Sequence, residues 1–262
     1  MILLKKNIIY IVLIILILIS AIYIVNDFIE LQDAKNQSKL LENTNATNNQ
    51  ISNENTNNEQ VQQLDSRITK VNDLKNQNSD IIGWLEIENT NINYPVLQGD
   101  DNEFYMTHNY KKEKSKNGSI FLSKDYNWDI PSSNLLIYGH NNKNGTMFQE
   151  LLKYEDFNFY KEHPTIRFTT ATEDMEFEII SVFKSRVYYK SEQNVFRYYF
   201  FINANTKAEY DDFITNAKAA SLYDIKKAAN YGDQLITLST CSYHVKDGRF
   251  AVVGVYNNTE SQ

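Results

Sequence analysis

The chain is poor in cysteine, proline and glycine: its 262 residues hold one Cys, three Pro and eight Gly. One thiol cannot form an internal disulfide, so in an exported chain it is either reactive or buried. Scarce Gly and Pro argue against low-complexity or turn-dominated architectures in the main body. Basic charge is also short. Lys and Arg number 26 against 33 Asp and Glu, a formal net charge of −7, and the densest basic stretch is Lys111-Lys112-Glu113-Lys114 with Lys116 nearby. That balance argues against a nucleic-acid partner. There is no CxxC and no HxxxH among the four His, so no metal site is expected and no cofactor motif stands out. Tyr (18) and Phe (14) are what the chain has in quantity, which suits a strand-rich core.

One long apolar run exists. Residues 8–25 contain no charge, Gly or Pro, close to the roughly 20 residues a membrane-crossing helix needs. Lys5 and Lys6 precede it, and Asp27, Glu30 and Asp33 come after it. The positive-inside rule then places residues 1–7 in the cytoplasm, 8–25 in the cell membrane as a single-pass anchor, and everything later outside. A cleaved signal peptide is the alternative, since Ser20-Ala21 offers small residues, but no A-x-A-like site ends the run. Residues 26–60 read as an Asn-rich extracellular linker: eight of the sixteen residues 43–58 are Asn, too polar to offset ordering entropy. Val61, Leu64, Ile68 and Val71, at spacings of three and four, predict an amphipathic helix opening the folded domain, 61–262. A continuing tether is the other option there.

Within that domain, strands are expected at 81–88, 92–98, 119–123, 134–140, 165–170, 175–187, 235–241 and 249–256. Pro95 suggests an edge position or an entry to the sheet. A helical turn is expected at 101–109, capped by Asp100 or Asp101, and helices at 146–154 and 208–220. The last lies in an insertion, 188–234, that precedes the cysteine strand and offers a wall for a binding groove. Many short strands with few helices fit a closed or nearly closed barrel.

The only thiol, Cys241, ends the strand Thr237-Leu238-Ser239-Thr240-Cys241, and Arg249 opens the next eight positions later. A nucleophilic thiol needs a nearby base or cation. His108 and His163 read as structural or solvent-facing, and His244 falls in the turn after the cysteine strand. His140 ends a buried strand and opens the polar loop Asn141-Asn142-Lys143-Asn144-Gly145, a place for a catalytic base or for a satisfied structural histidine. Arg249 is either a surface charge or a donor fork for a developing oxyanion.

These residues resemble the sortase family, class B. The resemblance is carried by Thr237-Leu238-Ser239-Thr240-Cys241 with Arg249, and by Ile137-Tyr138-Gly139-His140 ahead of the Asn-rich loop and Gly145-Thr146-Met147-Phe148. Asn89 to Gln98, Gly118 to Leu122 and the helix-bearing insertion support it, so that it spans about 60–256. It implies a mainly β fold with helices: a closed eight-stranded barrel, an N-terminal helix and a helix in the insertion. It also implies a membrane-anchored cysteine transpeptidase of a Gram-positive bacterium. Such enzymes cut a C-terminal sorting signal of a secreted protein after its threonine, hold the product as a thioacyl enzyme and pass it to a peptidoglycan-precursor amine. By the same resemblance Cys241 is the nucleophile, His140 the general acid and then base, Arg249 the substrate and oxyanion stabiliser, with Ser239 and Thr240 in support. Ser123-Lys124-Asp125 departs from the class, whose acidic residue often comes sooner. Two rivals share the sequence: a cysteine peptidase that releases its product to water, and an anchored binding module in which Cys241 is inert.

Overall fold

A computed structural model describes residues 2–43 and 56–256. Its eight strands are β1 (Ile81–Glu86), β2 (Asn93–Leu97), β3 (Ile120–Leu122), β4 (Asn134–Tyr138), β5 (Thr165–Thr170), β6 (Asp174–Arg186), β7 (Leu235–Cys241) and β8 (Gly248–Tyr256). They close in the order β1-β2-β3-β4-β7-β8-β6-β5. The pairs β2/β3 and β4/β7 are parallel and the others antiparallel. Closure leaves no free edge to template aggregation. Among the described residues four α-helices accompany the barrel: α1 (Ile2–Asn43), α2 (Thr56–Gln77), α3 (Phe157–Glu162) and α4 (Lys207–Ala220).

Strand β8 is apolar on both faces because both are covered. Phe250 and Val252 join Ile236, Leu238, Ile137 and Phe168 in one buried cluster. Ala251, Val253 and Val255 join Leu136 and Phe183 in a second, against Tyr210, Phe213 and Ala217 of α4. Side chains alternate along a strand. Cys241 therefore shares the α4 side of β7 with Leu235, Thr237 and Ser239, not the barrel interior.

Pro95 sits where its missing N–H costs nothing on the β3 side: only Val96 and Leu97 pair with β3. The helix expected at 146–154 is instead a 3-10 run, Gln149–Glu155. Asn144 Oδ1 accepts from both the N–H and the hydroxyl of Thr146, and Met147, with φ of +57°, bridges back to Asn141. Those local bonds keep the chain out of helix until Gln149. The turn at 101–109 contains a 3-10 segment, Phe104–Met106, with Asp101 Oδ1 accepting from the N–H groups of Glu103 and Phe104. Helix α3 was not expected from the sequence; Asp156 caps it through Asn158 N.

The segment expected as a linker, 26–60, is partly helix. No breaker separates the apolar run from the residues after it, so α1 continues to Asn43, with Ala34 and Gln37 buried against the domain. The Asn-rich centre of that segment lies outside the described residues. In α2, Val71 and Leu74 pack on Trp84, Leu97 and Tyr105, whereas Leu64 is exposed and the Val61 side chain lies outside the described residues.

Candidate active site

Parallel pairing of β4 with β7 brings the ends of two strands a hundred residues apart to the same rim. The register places Tyr138 opposite Ser239, so two further residues along each strand put His140 level with Cys241, on chains about 4.8 Å apart. Three bonds hold the rims together: Gly139 N donates to Ser239 O at 3.2 Å, Thr240 Oγ1 to Gly139 O at 2.7 Å, and Asn141 Nδ2 to Cys241 O at 3.0 Å. On the other flank, antiparallel β8 sets Arg249 directly opposite Cys241, which places their side chains on one face.

Cys241, His140 and Arg249 thereby line one cavity of about 160 Å³, with Asn102, Met106, Phe121, Tyr138, Gly139, Ser239 and Thr240. Cys241 is half-buried, reachable yet partly screened from water. The Met106 carbonyl, which can only accept, binds His140 Nε2 at 2.7 Å. Nε2 therefore carries the hydrogen, and in the neutral ring Nδ1 is the proton acceptor. Arg249 Nη1 donates to the Gly248 and Asp247 carbonyls at 3.0 and 3.4 Å. Among the described residues no carboxylate pairs with Arg249, so its charge is available to the cavity.

Behind the cysteine strand, Tyr198 from the insertion meets Ser239: Oη and Oγ lie 2.7 Å apart, both buried. Burial pushes the Tyr198 phenol well up, against the hydrogen bond to Ser239 and the nearby Arg249 charge. Burial likewise moves Tyr138 up to about 12, aided by Asp125 and opposed by Arg249. Both phenols stay neutral at physiological pH, and Arg249 brings a guanidinium to the cavity lining.

Every candidate from the sequence has a definite place. Cys241, His140, Arg249, Ser239 and Thr240 converge. His244 is exposed in the β7–β8 turn against Ser242 Oγ at 2.9 Å. His108 stacks on Phe104, ring centroids 4.0 Å apart, and His163 Nδ1 bonds Glu88 O at 2.9 Å. Sequence reasoning missed Asn141, Asn102, Met106 and Tyr198. Tyr198 had a signal, the aromatic cluster 198–201; Met106 acts through its carbonyl, Asn141 through a side-chain bond to the Cys241 carbonyl and Asn102 by its place in the loop, and these have none.

Comparison with known proteins points to one family. The family model described as the sortase domain matches residues 85–257. Sortase B of Listeria monocytogenes is 35% identical over 187 residues, 71% of this chain and 73% of that protein. The X-ray structure of Clostridium perfringens sortase B superposes with a TM-score of 0.64 at 32% identity, over 71% of this chain and 99% of that one. A Staphylococcus aureus sortase B–substrate complex gives 0.66 at 26% identity, over 77% and 94%.

Proposed function

The chain belongs to the sortase family, class B, a family of cell-wall transpeptidases, and from that premise we propose how its cavity works and on what. With its thiol proton passed to His140, Cys241 Sγ attacks the carbonyl carbon of the threonine in a C-terminal sorting signal. The tetrahedral oxyanion forms against the Arg249 guanidinium, and its collapse breaks the peptide bond as protonated His140 gives a proton to the leaving amine. A thioester between threonine and Cys241 remains. An amine of a peptidoglycan precursor then attacks it, His140 takes the proton, an amide forms and the thiol is restored. Ser239 and Thr240 hold the rim, the first through Tyr198 and the second through Gly139. That a S. aureus sortase B, similar to this chain, has been solved in complex with its substrate supports reading this chain as an enzyme that binds a substrate. The observation that carries the proposal is the convergence of Cys241, His140 and Arg249 on one cavity.

We place the enzyme at the membrane through α1, the one helix among the described residues long and apolar enough to cross, an 18-residue window of it having a mean hydropathy of 2.6. It passes Ser20-Ala21 without a break, which favours a retained anchor over a cleaved leader. The reaction is tested by incubating the enzyme with a sorting-signal peptide, with and without an amine acceptor, and monitoring products by mass spectrometry. A covalent adduct on Cys241, and ligated product with the acceptor, are expected, both lost in Cys241→Ala. Hydrolysed product alone, at saturating amine, would make the enzyme a peptidase and sink the proposal.

A further inference from the structure

Residues 104–119 join two parts of the molecule far apart in sequence, the stretch of α1 just past its apolar run and the ring of His140. On the α1 side, Asp33 accepts from Ser115 Oγ at 2.7 Å and from Asn109 Nδ2 at 3.1 Å. Gln37 Nε2 donates to Gly118 O at 3.3 Å, and Lys116 pairs with Glu30. On the other side, the same loop supplies the Met106 carbonyl that binds His140 Nε2. The loop between is stiff: Ser115 N donates to Thr107 O and Ser119 N to Tyr105 O. Gly118, with φ of +60°, packs so tightly that a Cβ there would lie 2.7 Å from the Met106 carbonyl oxygen.

Asn117 ties both sides together. It is 2% exposed; its Nδ2 donates to the Glu30 carbonyl at 2.6 Å, and its Oδ1 accepts from Asn142 Nδ2 at 3.0 Å. Asn142 lies two residues past His140 and also donates to Thr146 Oγ1 at 3.1 Å. A buried amide with both ends engaged has one workable orientation, since a flip would set donor against donor and acceptor against carbonyl.

We propose that Asn117 is a positioning residue for His140 and that residues 30–37 of α1, through it, belong to the catalytic scaffold as well as to the anchor. Docking of α1 fixes the loop, the loop fixes Met106 and Asn142, and these hold the imidazole in one tautomer: hydrogen on Nε2, acceptor on Nδ1. The inference rests on the acyl-transfer role given to His140, and its test includes a readout that needs no substrate.

The full 262-residue chain in detergent micelles is compared with Asn117→Ala, Asn142→Ala, their double variant and Asp33→Ala. Arg67→Ala is the control, because its ion pair with Asp174 joins α2 to the far side of the barrel. Transpeptidation kcat should fall on the order of tenfold in the first four, a misplacement effect, with KM held within about twofold. The double variant should lose no more than the worse single one, and NMR titration of the His140 ring should shift. Arg67→Ala should lower the melting temperature while leaving kcat and the titration unchanged. If Asn117→Ala behaves like Arg67→Ala, destabilised with unaltered kcat and titration, Asn117 is merely structural and the inference is wrong. A wild-type chain without transpeptidation would instead refute the acyl-transfer role, and the titration would still decide the link from α1.

Discussion

Gly139 precedes the histidine because nothing larger fits between β4 and the 148 region. A Cβ built there would lie 2.4 Å from Ile120 Cδ1 and 2.7 Å from the Phe148 ring, both buried in the main core. Gly139→Ala should therefore cost about 1–3 kcal/mol of stability through overpacking and displace His140, lowering transpeptidation more than the melting temperature alone would explain. Full activity with an unchanged melting curve would show that the crowding is relieved elsewhere. The candidate trio was legible at this scale. A lone thiol at a strand end, a histidine at the end of an apolar strand and an arginine eight residues on are local facts. Asn141 and Met106 were not, because the Cys241 carbonyl that Asn141 binds and the main-chain group that Met106 offers carry no side-chain signature.

At the scale of elements, the insertion is fastened to the barrel by Asn134, which opens β4 and is fully buried. Its Nδ2 donates to Phe201 O at 2.8 Å, its N–H to Ile202 O at 2.9 Å, and its Oδ1 accepts from Thr237 Oγ1 at 2.9 Å. Asn134→Ala leaves the Thr237 hydroxyl and the Phe201 carbonyl without partners, and should cost about 2–4 kcal/mol by denaturant unfolding; a loss under about 0.5 kcal/mol would mean that the network is dispensable. A second junction joins the start of β1 to the loop at 104–112. Asp80 accepts from Tyr105 Oη at 2.6 Å and pairs with Lys112 at 2.8 Å. Burial pushes its carboxyl up, but the bonds from Lys112 and Tyr105 outweigh burial and leave it below the usual carboxylate range. A depressed folded-state pKa gives stability that is present above the unfolded value and is lost as pH falls through the folded one. The melting-temperature gap between wild type and Asp80→Asn should hold at neutral pH and narrow as pH drops below about 4; a gap independent of pH would contradict this. Strand positions are legible in the alternation of apolar residues. Apolar spacing alone predicts an α-helix at 146–154, where the chain forms the 3-10 run Gln149–Glu155, because the Asn144 and Met147 bonds that delay it are turn chemistry invisible to such spacing.

For the whole molecule, the anchor and the barrel act as one assembly if α1 is retained. In cells, the chain should then remain with membranes after an alkaline carbonate wash, and protease added outside should reach the barrel; recovery in the soluble fraction would refute retention. Strand alternation gave a closed or nearly closed barrel, and local motifs gave the thiol, its arginine and the family resemblance that implied eight strands, since a side chain's face and a motif's spacing depend on a few residues of sequence. What only the tertiary structure decided is non-local: that parallel pairing of β4 with β7 sets His140 level with Cys241, that Tyr198 backs Ser239, and that α1 runs beyond its apolar stretch to dock on the loop holding His140. Those contacts depend on how the barrel closes and which buried polar groups must then be satisfied, a condition no single segment carries.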